Sequence, residues 1–233
     1  MNSISFHPLS ETAIIIDFGD NISLQQNNHI LALSRKLHQH PFPGFIESVP
    51  AYTTLTIHYN PLHYRTNSYD QVISYIKAYL LNSNPQAAPD NKIIDIPVCY
   101  ELEYGPDLED VASVNNLSPA KVVELHTTSN YHVYFLGFTP GFPFLGGLND
   151  RISAPRKSEP RTSVPAGSVG IAGNQTGIYP VASPGGWQII GRTPVSLLNV
   201  DKQPPTLLQP GDTIRFYSIS AEAFIAWEDQ SWD

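Results

Sequence analysis

Hydrophobic positions change period along the chain, and each change marks an element. Thr12 to Phe18 is a short apolar run closed by Gly19-Asp20, which predicts a buried strand. From Leu24 to His38 the apolar positions Ile30, Leu33 and Leu37 recur on one face of a helix, and Pro41-Phe42-Pro43-Gly44 ends it. After Val49-Pro50, the run Tyr52 to Tyr59 alternates: Leu55, Ile57 and Tyr59 oppose Thr54, Thr56 and His58, the period of a half-buried strand, and Asn60-Pro61 closes it. Tyr69 to Leu81 returns to helical spacing through Val72, Ile73, Ile76 and Leu80. Strand, helix, strand and helix in succession predict a small α+β layer. Asn82 to Asn91 has no periodicity and contains two prolines. The linker is therefore placed at 85–91, between a small α+β domain of residues 1–84 and a second domain of residues 92–233.

In the second domain, Lys92 to Val98 reads as a strand. Helices are predicted from Asp107 to Val114, after Gly105-Pro106, and from Pro119 to His126, where Ser118 is the N-cap and Pro119 takes the first helical position. From Tyr131 onward the pattern is strands and turns, and Leu208-Gln209-Pro210-Gly211-Asp212 turns into an alternating strand through Phe216. Ser220 is placed to cap a further helix through Trp227. Many short strands punctuated by Gly and Pro predict a barrel or sandwich.

Residues 131–195 stand apart. They hold eleven of the fifteen glycines, so backbone shape rather than side-chain bulk is specified there. After the apolar run Tyr131 to Leu136, aromatic residues alternate with Gly and Pro in Phe138-Thr139-Pro140-Gly141-Phe142-Pro143-Phe144, a loop that presents rings on a fixed backbone. The chain as a whole has a formal charge of −8, yet this stretch carries Arg151, Arg156, Lys157, Arg161 and Arg192 against only Asp150 and Glu159. A cationic island in an acidic protein points to an anionic ligand, and arginine's planar fork suits carboxylate or phosphate. Arg151 and Lys157 read equally well as solvated loop charges. Arg192 follows the apolar run Trp187 to Ile190, where an unpaired buried charge would be costly.

Composition narrows the class further. Only 15% of residues are charged and 21 are proline, a globular, turn-rich make-up. The single cysteine, Cys99, excludes an internal disulfide and reads as a small core filler. No signal-peptide pattern and no run of roughly twenty apolar residues is present, so the expectation is a soluble cytoplasmic protein. The acidic balance argues against nucleic acid as a partner. No Walker loop or Gly-x-Gly-x-x-Gly occurs. Ala166-Gly167-Ser168-Val169-Gly170 misses the nucleophile-elbow pattern, and Ser168 reads as a turn residue. His38-x-His40 lacks further ligands and reads as surface, so no metal site is expected.

Four strings carry a family resemblance: Leu136 to Gly147 (LGFTPGFPFLGG), Pro155-Arg156 through Pro160-Arg161, Val164 to Gly173 (VPAGSVGIAG), and Ser183-Pro184-Gly185-Gly186-Trp187 through Gly191-Arg192-Thr193-Pro194. They resemble the family of the 5-oxoprolinase B subunit, which includes the kinase inhibitor KipI and a domain found with allophanate hydrolases and urea carboxylases. The resemblance spans essentially the whole chain. It implies a small α+β amino-terminal domain followed by a cyclophilin-like β-barrel. It also implies a non-autonomous part in the ATP-dependent opening of 5-oxoproline to L-glutamate, with the LamB/YcsF-like A subunit and the KipA-like C subunit of 5-oxoprolinase as partners. Phosphorylation of the lactam oxygen would make its carbon electrophilic, and hydrolysis would follow.

Within that frame Arg156, Arg161 and Arg192 are expected as anion clamps, with the amides of Gly167 to Gly170 and Gly185-Gly186 as oxyanion donors. Phe138, Pro140, Gly141, Ser168, Gln175 and Gln188 are expected in the same groove. His126 is either a base or a helix-terminal histidine held by local carbonyls. Tyr179 and Trp187 either stack on a ligand or fill the barrel. Phe138, Phe142 and Phe144 form a ligand wall or the apolar centre of an interface. The rival expectation is a KipI-like module that docks on a sensor histidine kinase. A urea or amide carboxylase system, with a biotin-carboxylase partner, is a third.

Overall fold

A computed structural model describes residues 4–81 and 91–227. The chain divides into two compact units, Met1–Asp90 and Asn91–Asp233. The linker expected at 85–91 falls, except for Asn91, outside the described residues.

The first unit contains β1 (Ser5–Ser10), β2 (Ala13–Asp17), β3 (Phe45–Pro50) and β4 (Thr54–Tyr59), which form an antiparallel sheet in the order β1-β2-β4-β3. Two helices accompany it, α1 (Leu24–Gln39) and α2 (Ser68–Leu81). The Ser23 hydroxyl accepts from the Gln26 amide and starts α1 where the periodicity placed it. Ile14, Ile16, Leu55 and Ile57 of the sheet pack with Ile30, Leu33 and Leu37 of α1 and with Val72 and Ile76 of α2. The alternation in β4 is observed as read. Strands β1 and β3 have no clear period, because each lies at a sheet edge and buries little.

The second unit is built around β5 (Ile93–Cys99), β6 (Asn130–Leu136), β7 (Pro143–Gly146), β8 (Arg161–Val164), β9 (Ser168–Ala172), β10 (Gln175–Ile178), β11 (Ser183–Gly185), β12 (Gln188–Arg192) and β13 (Thr213–Ile219). Seven of these close into a barrel in the order β10-β7-β6-β13-β5-β12-β9, while β8 and β11 pair as a separate ribbon. Within the barrel β13 and β5 pair in parallel, and the other pairings are antiparallel. The barrel is filled by Val98, Tyr131, Val133, Leu145, Val169, Ile171, Ile190, Ile214 and Phe216, against which Val111 of α3 (Leu108–Val114) and Val122 of α4 (Pro119–Thr127) are packed. Ser118 caps α4 through the Lys121 amide, as expected. The last helix, α5 (Ala221–Ile225), is capped by Ser220 and stops short of the expected Trp227. Ser168 is not a turn residue: it opens β9 and is 2% exposed, since its carbonyl accepts the Tyr179 amide and continues the ladder. No helix among the described residues is long and apolar enough to cross a membrane.

Candidate functional site

A pocket of about 290 Å³ opens beside the barrel. The loop between β6 and β7, the segment after Pro155 and the turn after β11 supply most of its wall. Gly137 N–H donates to Phe142 O and Phe142 N–H donates to Thr139 O, which folds the loop back on itself. Phe138 at its tip takes φ +68°, a left-handed conformation that an aromatic residue rarely adopts, and is 65% exposed at the pocket. Phe142 lies beneath, 1% exposed, edge-on to Tyr179 at 5.2 Å and to Trp187 at 5.4 Å. Phe144 completes this aromatic wall. A Cβ on Gly185 would stand 2.4 Å from the Tyr179 hydroxyl, so glycine there is what lets the tyrosine lie across the ribbon. Burial raises the pKa of Tyr179 and keeps it protonated.

The cations come from one segment. The Arg156 guanidinium stands 6.0 Å from the centre of the Trp187 ring and makes no ion pair among the described residues. Lys157 also lines the pocket, but its Nζ donates to Asp107 Oδ1 at 2.7 Å, while its backbone N–H donates to Gly186 O at 2.8 Å. Arg161 Nη2 donates to the same Asp107 oxygen at 2.7 Å. Burial pushes the Asp107 carboxyl up, but hydrogen bonds from Arg161, Lys157 and the Ile189 amide outweigh it and hold the group below the usual carboxylate range. The pocket therefore joins an apolar aromatic wall to one unpaired guanidinium. That combination suits a small flat anion, such as a ring bearing a carboxylate. The lining contains no carboxylate, imidazole or thiol, so it can bind and orient but has no obvious side chain for shuttling a proton at neutral pH.

Of the expected site residues, the structure brings together Phe138, Phe142, Arg156, Tyr179, Gly186 and Trp187, and adds Phe144, Lys157, Pro160, Pro184 and Gly185. Pro140 and Gly141 form the turn that carries Phe138. Gly170 backs the wall, since a Cβ there would meet that of Trp187 at 3.0 Å. Gln188 Nε2 donates to Pro155 O and ties down the cationic segment, and Gln175 opens β10, paired with Ala172.

Three of the four expected catalytic side chains are engaged elsewhere. Arg161 is held by Asp107. Arg192 Nε donates to Ala166 O at 2.7 Å, and its guanidinium stands over Phe224. His126 is fully buried in the barrel unit, stacked on Phe216. The Thr176 hydroxyl donates to Gly170 O at 2.9 Å, so it accepts from His126 Nε2–H at 3.2 Å, which leaves Nδ1 to accept from Tyr100 O–H at 2.7 Å. Burial drives the His126 pKa down to about 3, and the neutral ring is a structural link rather than a base. Asp107 escapes sequence reasoning because its partners lie 50 to 82 positions along the chain, beyond any local signal. Among the described residues no group of three or more His, Cys, Asp or Glu side chains is placed to hold a metal.

Comparison with known proteins agrees with this architecture. A family model described as the carboxyltransferase domain, subdomain C and D, matches residues 4–208. The 5-oxoprolinase B subunit of Bacillus subtilis (strain 168) is 46% identical over 230 residues, covering 96% of each chain. That of Escherichia coli O157:H7 is 40% identical over 209 residues, covering 89% of this chain and 93% of its own. A solved structure of a conserved uncharacterized protein from Pyrococcus horikoshii is 44% identical with a TM-score of 0.57, covering 94% of this chain and 100% of that one. With identity of this order along nearly the full length of both chains, the protein belongs to the family of 5-oxoprolinase B subunits, under the model of the carboxyltransferase domain, subdomain C and D.

Proposed function

We propose that this chain is the B subunit of a cytoplasmic, ATP-dependent 5-oxoprolinase, a hydrolase that opens 5-oxoproline to L-glutamate together with a LamB/YcsF-like A subunit and a KipA-like C subunit, and that its second unit is a cyclophilin-like barrel. The observation that carries this reading is 46% identity to a 5-oxoprolinase B subunit over 96% of both chains. The pocket supports it. Arg156 is placed to receive the carboxylate of 5-oxoproline, while the flat lactam ring lies against the wall formed by Phe138 and Trp187. A lining without a proton-shuttling side chain fits a protein that binds and orients while partners complete the site. One unpaired guanidinium and an aromatic wall do not fit a nucleoside triphosphate, so the ATP consumed by the complex is not placed in this pocket, and no phosphoryl-transfer step is drawn through its residues.

The test is ATP-dependent glutamate release from 5-oxoproline, measured with this chain alone and mixed with both partners. Activity in the mixture only is the expected result. Inactivity in every mixture, with the partners folded and bound, would refute the reading and leave inhibition of a sensor histidine kinase as the function to assay.

A further inference from the structure

Asp107 is 2% exposed and is not part of the pocket wall, yet it is bonded to two elements that make that wall. Its backbone N–H donates to Ile189 O at 2.8 Å and its Oδ2 accepts the Ile189 N–H at 2.6 Å, so both backbone groups of one β12 residue, two positions from Trp187, are gripped by a single side chain and its own amide. Its Oδ1 accepts from Lys157 Nζ and from Arg161 Nη2, each at 2.7 Å. Both cations belong to the segment that also places Arg156 and Pro160 in the lining. Like charges sharing one acceptor repel unless the carboxylate stands between them, so removing it would separate Lys157 from Arg161 and leave the segment held near β12 only by Gln188 Nε2–H to Pro155 O and the Lys157 amide to Gly186 O. With the carboxylate present, Lys157 and Arg161 are both paired with Asp107, Lys157 also standing 3.8 Å from Asp110, and Arg156 is the lining cation with no ion pair among the described residues.

We propose that Asp107 is a positioning residue: it ties the 155–161 segment to β12 and thereby sets Arg156 against an anionic ligand. The inference rests on the reading that this pocket takes the carboxylate of 5-oxoproline. It is tested with Asp107→Asn in the reconstituted three-subunit complex, alone and combined with Arg156→Ala. Asp107→Asn is expected to raise KM for 5-oxoproline at least about tenfold with kcat changed less than about threefold, and to add less than about twofold in the Arg156→Ala background, because a guanidinium that is already absent cannot be misplaced. A wild-type KM, or full multiplication of the two effects, would overturn it. If Asp107→Asn does not yield folded protein, Lys157→Met removes one of the two tethers at a side chain that is 28% exposed, and the same pattern is required of it. Hydrogen exchange of the isolated chain separates this inference from the functional reading. The Lys157 amide should exchange at least about tenfold faster in the variant, and an unchanged rate would refute the positioning role even were the wild-type mixture inactive.

Discussion

The Tyr100 hydroxyl and His126 Nδ1 stand 2.7 Å apart, both side chains shut away from water. Because the folded imidazole titrates near 3 while an unfolded one titrates near 6.5, the unfolded chain binds the extra proton between those values. The contribution to stability is fully present above about pH 6.5 and is lost as pH falls toward 3. Through the middle of that window the slope attributable to His126 is on the order of 1 kcal/mol per pH unit. Denaturant unfolding from pH 7 to pH 4 should show a shallower decline in His126→Leu than in wild type, and equal slopes would show that the ring is not held neutral. Tyr100→Phe should cost about 1–3 kcal/mol at pH 7 by leaving the buried Nδ1 unpaired.

Arg156 is exposed and makes no ion pair among the described residues, so its removal should be silent in stability and audible in binding. Arg156→Ala should leave Tm within about a degree and raise KM for 5-oxoproline roughly tenfold or more, the loss of a charge-assisted bond. Steady-state kinetics of the complex decide the matter, and an unchanged KM would remove Arg156 from the site.

Arg192 should behave in the opposite way. Its bond to Ala166 O and its place over Phe224 are internal, so Arg192→Ala should lower stability by about 1–3 kcal/mol and leave KM alone. Loss of activity with an unaltered unfolding midpoint would restore Arg192 to the ligand.

Gly167 has φ +81°, and a Cβ there would lie 2.2 Å from Thr193 O, a backbone atom that cannot swing away. Gly167→Ala combines strain with overpacking and should cost at least about 2 kcal/mol in equilibrium unfolding. A cost below about 0.5 kcal/mol would mean that the β8–β9 turn relaxes freely.

What can be read from the residues alone follows from the range of the forces involved. The helices and the strand from Thr54 to Tyr59 are legible because burial on one face imposes a period on neighbouring positions. The Gly and Pro strings mark the pocket loops, since backbone shape is written locally, and Phe142, Tyr179 and Trp187 fall in the site for that reason. The arginines are harder: type and loop context are the same for Arg156, Arg161 and Arg192, and only the fold shows that Asp107 and the Ala166 carbonyl have taken two of them. Around His126 the local pattern leaves base and structural link open, because the deciding partners, Tyr100 and Thr176, lie 26 and 50 positions away.

The parallel pairing of β5 with β13 has a kinetic consequence. It runs in register from Ile93 and Thr213 to Cys99 and Ile219, between partners 120 positions apart, whereas β12 meets β5 at one residue pair only. Joining those strands closes a long loop, whose entropy must be met before any of the pairing is gained. A growing polypeptide cannot finish this barrel until Ile219 has left the ribosome, and until then β5 keeps an open edge available to chaperones or to a strand from another chain.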